Sequence, residues 1–211
     1  MNKCVIIGGG TFNHISCHLS LAAPAFGRTA RDMARRFSHL APDMECVLKL
    51  TKMADHTSDL ITNLDVADYV SGLLDDPLVK IIIMNAAICD FEIKNPSDEA
   101  RLSSQKDYHV AMKGVKGKIL SMIKERRQDI VVCGFKTTHG ATNDEQIKKG
   151  VASMNANSIN LVIANDVGTY KNVLISDSGR SYMDDRGALI DRMIRIAVGR
   201  VFCAEDYHVV D

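Results

Sequence analysis

The chain of 211 residues suffices for one domain with a sizeable core, and its 46% hydrophobic and 25% charged residues are typical of a globular protein. Its 26 basic and 26 acidic residues give zero formal net charge, which argues against a nucleic-acid partner. No apolar run approaches the 18 residues of a membrane span, and the six cysteines form no C-x-x-C pair. We therefore expect a cytoplasmic protein with reduced, largely buried thiols and no membrane or nucleic-acid partner.

The amino-terminal half alternates between short apolar runs and amphipathic stretches. The first apolar run, residues 3–8, predicts a strand that is buried on both faces. In chain order, the pattern then predicts a helix at 27–41, a strand at 44–50, a helix at 63–76 and a strand at 79–85. The polar stretch 96–114 lacks periodicity and predicts a long loop or flap.

The carboxy-terminal half repeats the alternation and then departs from it. The predicted elements are a helix at 117–129, a strand at 130–135, a helix at 142–157, a strand at 159–166 and a closing helix at 184–202. Before the closing helix, residues 172–176 and 181–183 predict a small antiparallel hairpin. The order predicts an α/β fold in one domain, 1–211, with a mostly parallel sheet flanked by helices. In such sheets ligands bind beyond the carboxyl ends of the strands.

Two of the predicted strand ends carry small residues. Residues 8–11, with sequence GGGT, offer backbone N–H groups and the hydroxyl of Thr11, which suits an anion. After the strand at 79–85, Ala86 and Ala87 leave room for a bulky ligand beside the backbone. Asp90 follows, and its carboxylate either accepts from ribose hydroxyls or caps the next turn.

The other two strand ends are polar. Phe135 is followed by Lys136 and, after two threonines, by His139. A histidine there serves as an acid or base, donates to a phosphate, or is simply a loop residue. Asn165 and Asp166 end the next strand, and their short side chains fit either a ligand contact or a turn.

Four segments in order, GGGT, NAAICDF, GFKTT and LVIANDV, resemble the phosphopantothenate–cysteine ligases, the carboxy-terminal half of the bifunctional DNA/pantothenate-metabolism flavoproteins. The resemblance covers residues 3–200 and implies a dimeric, Rossmann-like enzyme of coenzyme A synthesis. Such enzymes use CTP or ATP with Mg²⁺ to activate the carboxylate of 4′-phosphopantothenate as an acyl-nucleotidylate, which the amine of cysteine then attacks.

The resemblance also implies roles for particular residues. Arg101 takes the place of a flap lysine, and we predict it as a catalytic residue together with Lys136 and His139. The residues predicted to bind the nucleotide are Gly8, Gly9, Gly10, Thr11, Ala86, Ala87, Asp90, Phe135, Asn165 and Asp166.

Other positions depart from the family pattern. Leu19 and Ala23 fall where the family has an arginine and a functional asparagine, and Ser153 and Asn157 fall where it has phosphate-binding lysines. Residues 12–26, the segment after Thr11 that contains Leu19 and Ala23, also contain His14, Cys17 and His18. The spacing of these three residues fits no common metal site, so we expect no protein-bound metal there. Three hypotheses stay open: an active ligase, the same nucleotide pocket with another substrate or reaction, or a nucleotide- or partner-binding protein without catalysis.

Overall fold

The computed structural model describes residues 1–99, 101–115 and 119–206. Its strands are β1 (Lys3–Gly10), β2 (Phe12–Ser16), β3 (Leu19–Ala22), β4 (Glu45–Leu50), β5 (Val79–Ala87), β6 (Phe91–Ile93), β7 (Met112–Gly114), β8 (Val131–Thr138), β9 (Leu161–Asp166), β10 (Asn172–Ser176) and β11 (Ser181–Met183). Its helices are α1 (Arg28–Leu40), α2 (Asn63–Leu73), α3 (Ile119–Arg126), α4 (Asn143–Asn157) and α5 (Arg186–Asp206).

Seven strands form the central sheet, in the order β11-β10-β9-β8-β5-β1-β4. Strands β4, β1, β5, β8 and β9 are parallel, whereas β10 and β11 are antiparallel and form the predicted hairpin. This arrangement confirms the predicted α/β, Rossmann-like fold. The carboxyl ends of β1, β5, β8 and β9 therefore meet at one edge, where a ligand is expected.

Apolar side chains project from both faces of the sheet and form one core on each face. On one face, Ile6 packs in a cluster with Phe37 of α1 and Met193 of α5. On the other face, Val5 packs in a cluster with Val66 of α2, and α3 and α4 contribute to the same cluster. Burial on both faces explains why the parallel strands read as continuous apolar runs.

The buried cysteines lie where the sequence predicted them. Cys4, Cys89 and Cys133 are buried and free, whereas Cys17 and Cys203 are exposed. Burial raises the pKa of the Cys133 thiol to about 12, so this thiol stays protonated at neutral pH. These buried thiols act as small apolar core residues.

The main differences from the predicted elements lie near the edge of the sheet where a ligand is expected. Strands β1, β5 and β8 run two or three residues further than predicted, because β1 and β5 stay paired through Gly10 and Ala87 and β8 stays paired with β9 through Thr138. The segment after Thr11, predicted as part of a loop, forms a two-stranded antiparallel ribbon of β2 and β3. Strands β6 and β7 form a second antiparallel ribbon, and most of the predicted flap lies between them in the chain. Residue 100 of the flap and residues 117–118 of the predicted helix lie outside the described residues.

Candidate functional site

A cavity of about 880 Å³ lies at the carboxyl ends of the parallel strands. Strand ends supply Gly9, Asn85, Phe135 and Asn165 to its lining. The segment that enters α1 supplies residues 24–29, and α3 and α4 also contribute. Its size is within the range of small-molecule and cofactor sites.

Positive charge enters the cavity from three elements. Arg28 begins α1, Arg186 begins α5 and Lys136 lies near the end of β8, and all three line the cavity. The start of α1 adds to this charge because its N-cap residue, Gly27, provides no side-chain cap and the first turn contains no acidic residue. An uncapped helix N-terminus attracts anions through its backbone N–H groups and its dipole. The part of the cavity beside the start of α1 is therefore suited to phosphate groups.

The GGG stretch serves packing more than ligand contact. Gly8, Gly9 and Gly10 lie inside β1, paired in register with residues 85–87 of β5. A Cβ at Gly8 would overlap the Cβ of Ala30 in α1. A Cβ at Gly10 would overlap the carbonyl oxygen of Ala23 and approach the Ala25 nitrogen at 2.8 Å. Of these glycines, Gly9 lines the cavity, with a φ of 105° that favours glycine.

Thr11, which was predicted to bind the nucleotide, lies inside the fold. It is fully buried, and its hydroxyl donates to Oδ1 of Asn63 at 2.6 Å. The same hydroxyl accepts from the backbone N–H of Cys89 at 3.1 Å. The group that was predicted to meet an anion instead ties the end of β1 to α2 and to the segment after β5.

Asp166, which was also predicted to bind the nucleotide, likewise lies inside the fold. Its side chain is buried and does not line the cavity. One carboxylate oxygen accepts from the N–H groups of Gly140 at 3.0 Å and Thr169 at 2.7 Å, and the other accepts from the Thr138 hydroxyl at 2.8 Å and the Ala141 N–H at 2.9 Å. Burial raises the pKa of Asp166, but these hydrogen bonds outweigh it and hold the pKa well below its usual range. Asp166 therefore clamps two loops as an ionised carboxylate.

Several other predicted residues do come together. The cavity is lined by Ala86, Ala87, Asp90, Phe135, Lys136 and Asn165. Asp90 is exposed at the rim of this group. Phe135 is half-buried and also packs against the core on the α1 and α5 face. These strand ends share one cavity because their strands are parallel neighbours.

Arg101 and His139 lie apart from this group. Both are exposed, and neither lines the cavity. On the β2–β3 ribbon, His14 lies 2.8 Å from the Ser20 hydroxyl, measured from Nδ1, and the tip carries the exposed Cys17. His14, Cys17 and His18 do not line the cavity either. Within 1–99, 101–115 and 119–206, no three His, Cys, Asp or Glu side chains gather as metal ligands.

The positions that depart from the family pattern divide into two groups. Ser153 and Asn157 line the cavity from α4. Ala23 lies beside Gly10 and donates its N–H to the carbonyl of Thr11 at 3.1 Å, and Leu19 is exposed on β3. Lys148 and Lys149, one turn earlier on α4, are exposed and do not line the cavity.

Sequence reasoning missed the two cavity arginines, Arg28 and Arg186. Each stands at the first position of a helix, so its place in the cavity depends on where that helix begins. One local signal was available for Arg28: the helix after Gly27 starts without Ser, Thr, Asp or Asn at its cap. No comparable signal marks Arg186, because α5 follows the antiparallel hairpin and returns to this edge only in the folded sheet.

Comparison with known proteins gives a family match over most of the chain. The model of the DNA/pantothenate metabolism flavoprotein C-terminal domain matches residues 2–194. A curated relative, the coenzyme A biosynthesis bifunctional protein CoaBC of Methanocaldococcus jannaschii, is 24% identical over 172 residues. The aligned part covers 80% of this chain and 41% of that protein, so this chain corresponds to less than half of its relative.

Solved structures show the same fold. The DNA/pantothenate metabolism flavoprotein from Streptococcus pneumoniae has a TM-score of 0.75 at 18% identity, covering 99% of this chain and 100% of that chain. The C-terminal domain of CoaBC has a TM-score of 0.70 at 16% identity, covering 97% and 96%. A Cab2 mutant in complex with phosphopantothenate-cysteine has a TM-score of 0.69 at 13% identity, covering 99% and 89%.

Proposed function

Because the chain belongs to the DNA/pantothenate metabolism flavoprotein C-terminal domain family, we propose that it acts as a phosphopantothenate–cysteine ligase of coenzyme A biosynthesis. Relatives named for coenzyme A biosynthesis and for a phosphopantothenate-cysteine complex support this reaction. The observation that carries the proposal is the cavity at the strand ends, with cations from three elements around it. A carboxylate–amine ligation that consumes a nucleotide needs such a charge-neutralising site.

The nucleotide co-substrate, CTP or ATP, binds with its phosphates in the part of this cavity lined by Arg28 and the start of α1. Arg28 and the uncapped start of α1 support this placement, since they bring charge and N–H donors to the same place. Arg186 supplies a second guanidinium, which pairs well with phosphate oxygens. Ala86 and Ala87 leave space beside the backbone for the nucleoside.

The residues also fit Mg²⁺ that arrives with the nucleotide. Asp90 and Glu92 are the carboxylates of the cavity lining in the described chain. Mg²⁺ in nucleotide sites usually binds one or two carboxylates together with substrate phosphates. When bound, the ion neutralises phosphate charge, and the chain's own residues hold and orient the substrates.

Lys136 is the catalytic candidate that geometry favours, because it lines the cavity at the end of β8. Its ammonium group would stabilise negative charge that develops while the carboxylate attacks the nucleotide. Arg101 and His139 stay proposals for catalysis. Arg101 lies in the segment between β6 and β7, and His139 lies in the loop between β8 and α4.

A second candidate function is nucleotide binding without ligation. It is favoured by four uncharged residues where the family pattern has functional or charged side chains: Leu19, Ala23, Ser153 and Asn157. Each lost hydrogen bond to a charged group costs about 1.5–3 kcal/mol. A protein lacking several such contacts can retain nucleotide affinity and lose the reaction.

Three wider properties belong to the same proposal. We place the protein in the cytoplasm as a single domain spanning 1–211 that forms homodimers. Exposed apolar side chains on the two ribbons, Leu19, Phe91 and Met112, support a partner surface there. In the described part of the chain, no helix is long and apolar enough to cross a bilayer.

A pyrophosphate assay tests the function. The protein is incubated with 4′-phosphopantothenate, cysteine, Mg²⁺ and either CTP or ATP, and pyrophosphate and the product amide are followed. We expect pyrophosphate release that requires 4′-phosphopantothenate and that falls in Lys136→Gln. The exposed Lys148→Gln, outside the cavity, is the matched control and should match wild type. Nucleotide binding without pyrophosphate would establish the second candidate instead.

A further inference from the structure

The first side chain of α2 holds the segment that follows β5 through both of its polar groups. Asn63 begins α2, is half-buried and lines the cavity. Its Nδ2 donates to the carbonyl oxygen of Cys89 at 2.7 Å, and its Oδ1 accepts from the Cys89 N–H at 3.2 Å. The same Oδ1 accepts from the Thr11 hydroxyl at 2.6 Å. One side chain therefore holds both backbone polar groups of Cys89.

The chemistry of this contact requires an amide. A side-chain amide carries a donor and an acceptor side by side, whereas a carboxylate lacks the donor and an apolar side chain lacks both. Cys89 is 6% exposed, so water does not readily replace hydrogen bonds that its backbone loses. Replacing Asn63 by an apolar residue should therefore loosen the backbone at Cys89.

The residue after Cys89 is Asp90, whose side chain lines the cavity. The carbonyl oxygen of Asp90 accepts from the N–H of Val115, directly after β7, at 3.0 Å. Asp90 thus lies in a short connection between β5 and β6 that is held on one side by α2, through Cys89, and on the other by the segment after β7. Loss of the Asn63 contact would release the first of these two sides.

We propose that Asn63 is a positioning residue, which fixes the backbone of Cys89 and thereby holds the Asp90 carboxylate ready for the bound nucleotide and its Mg²⁺. The inference rests on the proposed nucleotide binding and adds a residue that acts through Asp90. A carboxylate that is already ordered costs less conformational entropy on binding than a mobile one. If Asn63 instead contacted the nucleotide directly, its contribution would not depend on Asp90.

A double-mutant cycle with Asn63→Ala and Asp90→Ala tests this dependence. Dissociation constants for CTP and ATP with Mg²⁺ are measured by calorimetry for wild type, both single variants and the double variant. For the nucleotide that wild type binds more tightly, we expect each single substitution to weaken binding about tenfold. The double variant should also lose about tenfold, and not about a hundredfold, because removal of Asn63 has little left to change once the Asp90 carboxylate is gone.

The start of α4 offers a matched control. Asn143 also begins a helix after a threonine that forms a capping box, and it is half-buried like Asn63. Its Nδ2 contacts the sulfur of Met183, and Asn143 does not line the cavity. Asn143→Ala should therefore keep the wild-type affinity, alone and together with Asp90→Ala.

The fold of each variant is checked by its unfolding midpoint, because Asn63→Ala also removes hydrogen bonds that stabilise the protein. Binding is compared at one temperature below all the midpoints. If Asn63→Ala does not fold, Asn63→Leu takes its place in the cycle, since it removes the same donor and acceptor while roughly keeping the side-chain volume.

The outcomes separate the inference from the function on which it rests. A loss of about a hundredfold in the double variant means that the two residues contribute independently, which overturns the positioning role and leaves nucleotide binding intact. Wild-type affinity in either single variant overturns it as well. If wild type binds neither CTP nor ATP with Mg²⁺, the proposed function and the inference fail together.

Discussion

Two glycine-containing segments stand at the two ends of the connection from β1 to α1 and serve different purposes. Residues 8–11 lie within or directly after β1, where the glycines admit α1 and the 23–25 segment, and Thr11 is hydrogen-bonded inside the fold. Residues 24–29 line the cavity and present the uncapped start of α1. A glycine run after a strand can therefore signal close packing, with the ligand contact made by the other end of the connection.

The largest effect is expected where the first segment is packed most closely. Gly10→Ala should lower the free energy of unfolding by about 3 kcal/mol, because its Cβ would meet backbone atoms that cannot move aside. Gly199→Ala is the matched control, since this exposed α5 position has open space and the change should raise stability by about 0.5–1 kcal/mol. Chemical denaturation measures both. Wild-type stability in Gly10→Ala would show that residues 8–11 are not packed as described.

A smaller effect is expected at Asp166, the other strand-end residue that faces inward. Asp166→Asn should lower the unfolding midpoint by about 5 °C at neutral pH, because the ionised carboxylate accepts several N–H and O–H donors. The pKa of Asp166 is lower in the folded state, so its stabilisation is present above the unfolded pKa of about 4. That stabilisation is lost as pH falls towards the folded pKa.

As the pH is lowered from about 6 to about 2, the gap between the midpoints of wild type and Asp166→Asn should therefore stay constant down to about pH 4 and narrow below it. Thermal denaturation across this range checks the convergence. The exposed Asp98→Asn serves as the control and should follow wild type throughout. A gap between wild type and Asp166→Asn that stays constant down to the lowest pH would contradict a carboxylate clamp.

The smallest effect on stability is expected for a substitution in the second segment, residues 24–29. There the substitution should change the affinity for a nucleotide. Arg28→Gln should weaken binding of a nucleoside triphosphate about tenfold, because a charged hydrogen bond to phosphate is lost. Its free energy of unfolding should stay within about 0.5 kcal/mol, since Arg28 is exposed. Calorimetry of Arg28→Gln beside Lys149→Gln, an exposed lysine outside the cavity, separates local charge from net charge. Equal affinity of the two variants for the nucleoside triphosphate would contradict a phosphate contact of Arg28.

The local pattern was sufficient for the elements of the central sheet. Within the described residues, hydrophobic periodicity predicted each strand of this sheet and the helices α1 to α5, because burial on one or two faces places apolar residues at a regular spacing. The hairpin of β10 and β11 was predicted with the same bounds that it has in the structure. The ribbons β2–β3 and β6–β7 were missed, since their strands have only three to five residues and show little alternation of buried and exposed positions.

The candidate site was predicted in part, for a physical reason. Parallel strands bring their carboxyl ends to one edge, so Ala86, Asp90 and Phe135 were placed together from sequence order alone. Whether a polar side chain at that edge faces a ligand or the protein depends on partners far away in the chain. Thr11 meets Asn63, 52 positions away, and no local pattern reveals that contact.

The sequence by itself determined the α/β class, the family resemblance and the edge of the sheet at which a ligand is expected. Periodicity and strand order carry that information because they reflect burial and parallel pairing. Only the tertiary structure decided which groups remain available to a ligand. Hydrogen bonds inside the fold occupied Thr11 and Asp166, and the packing of the helices on the sheet brought Arg28 and Arg186 to one cavity from separate helices.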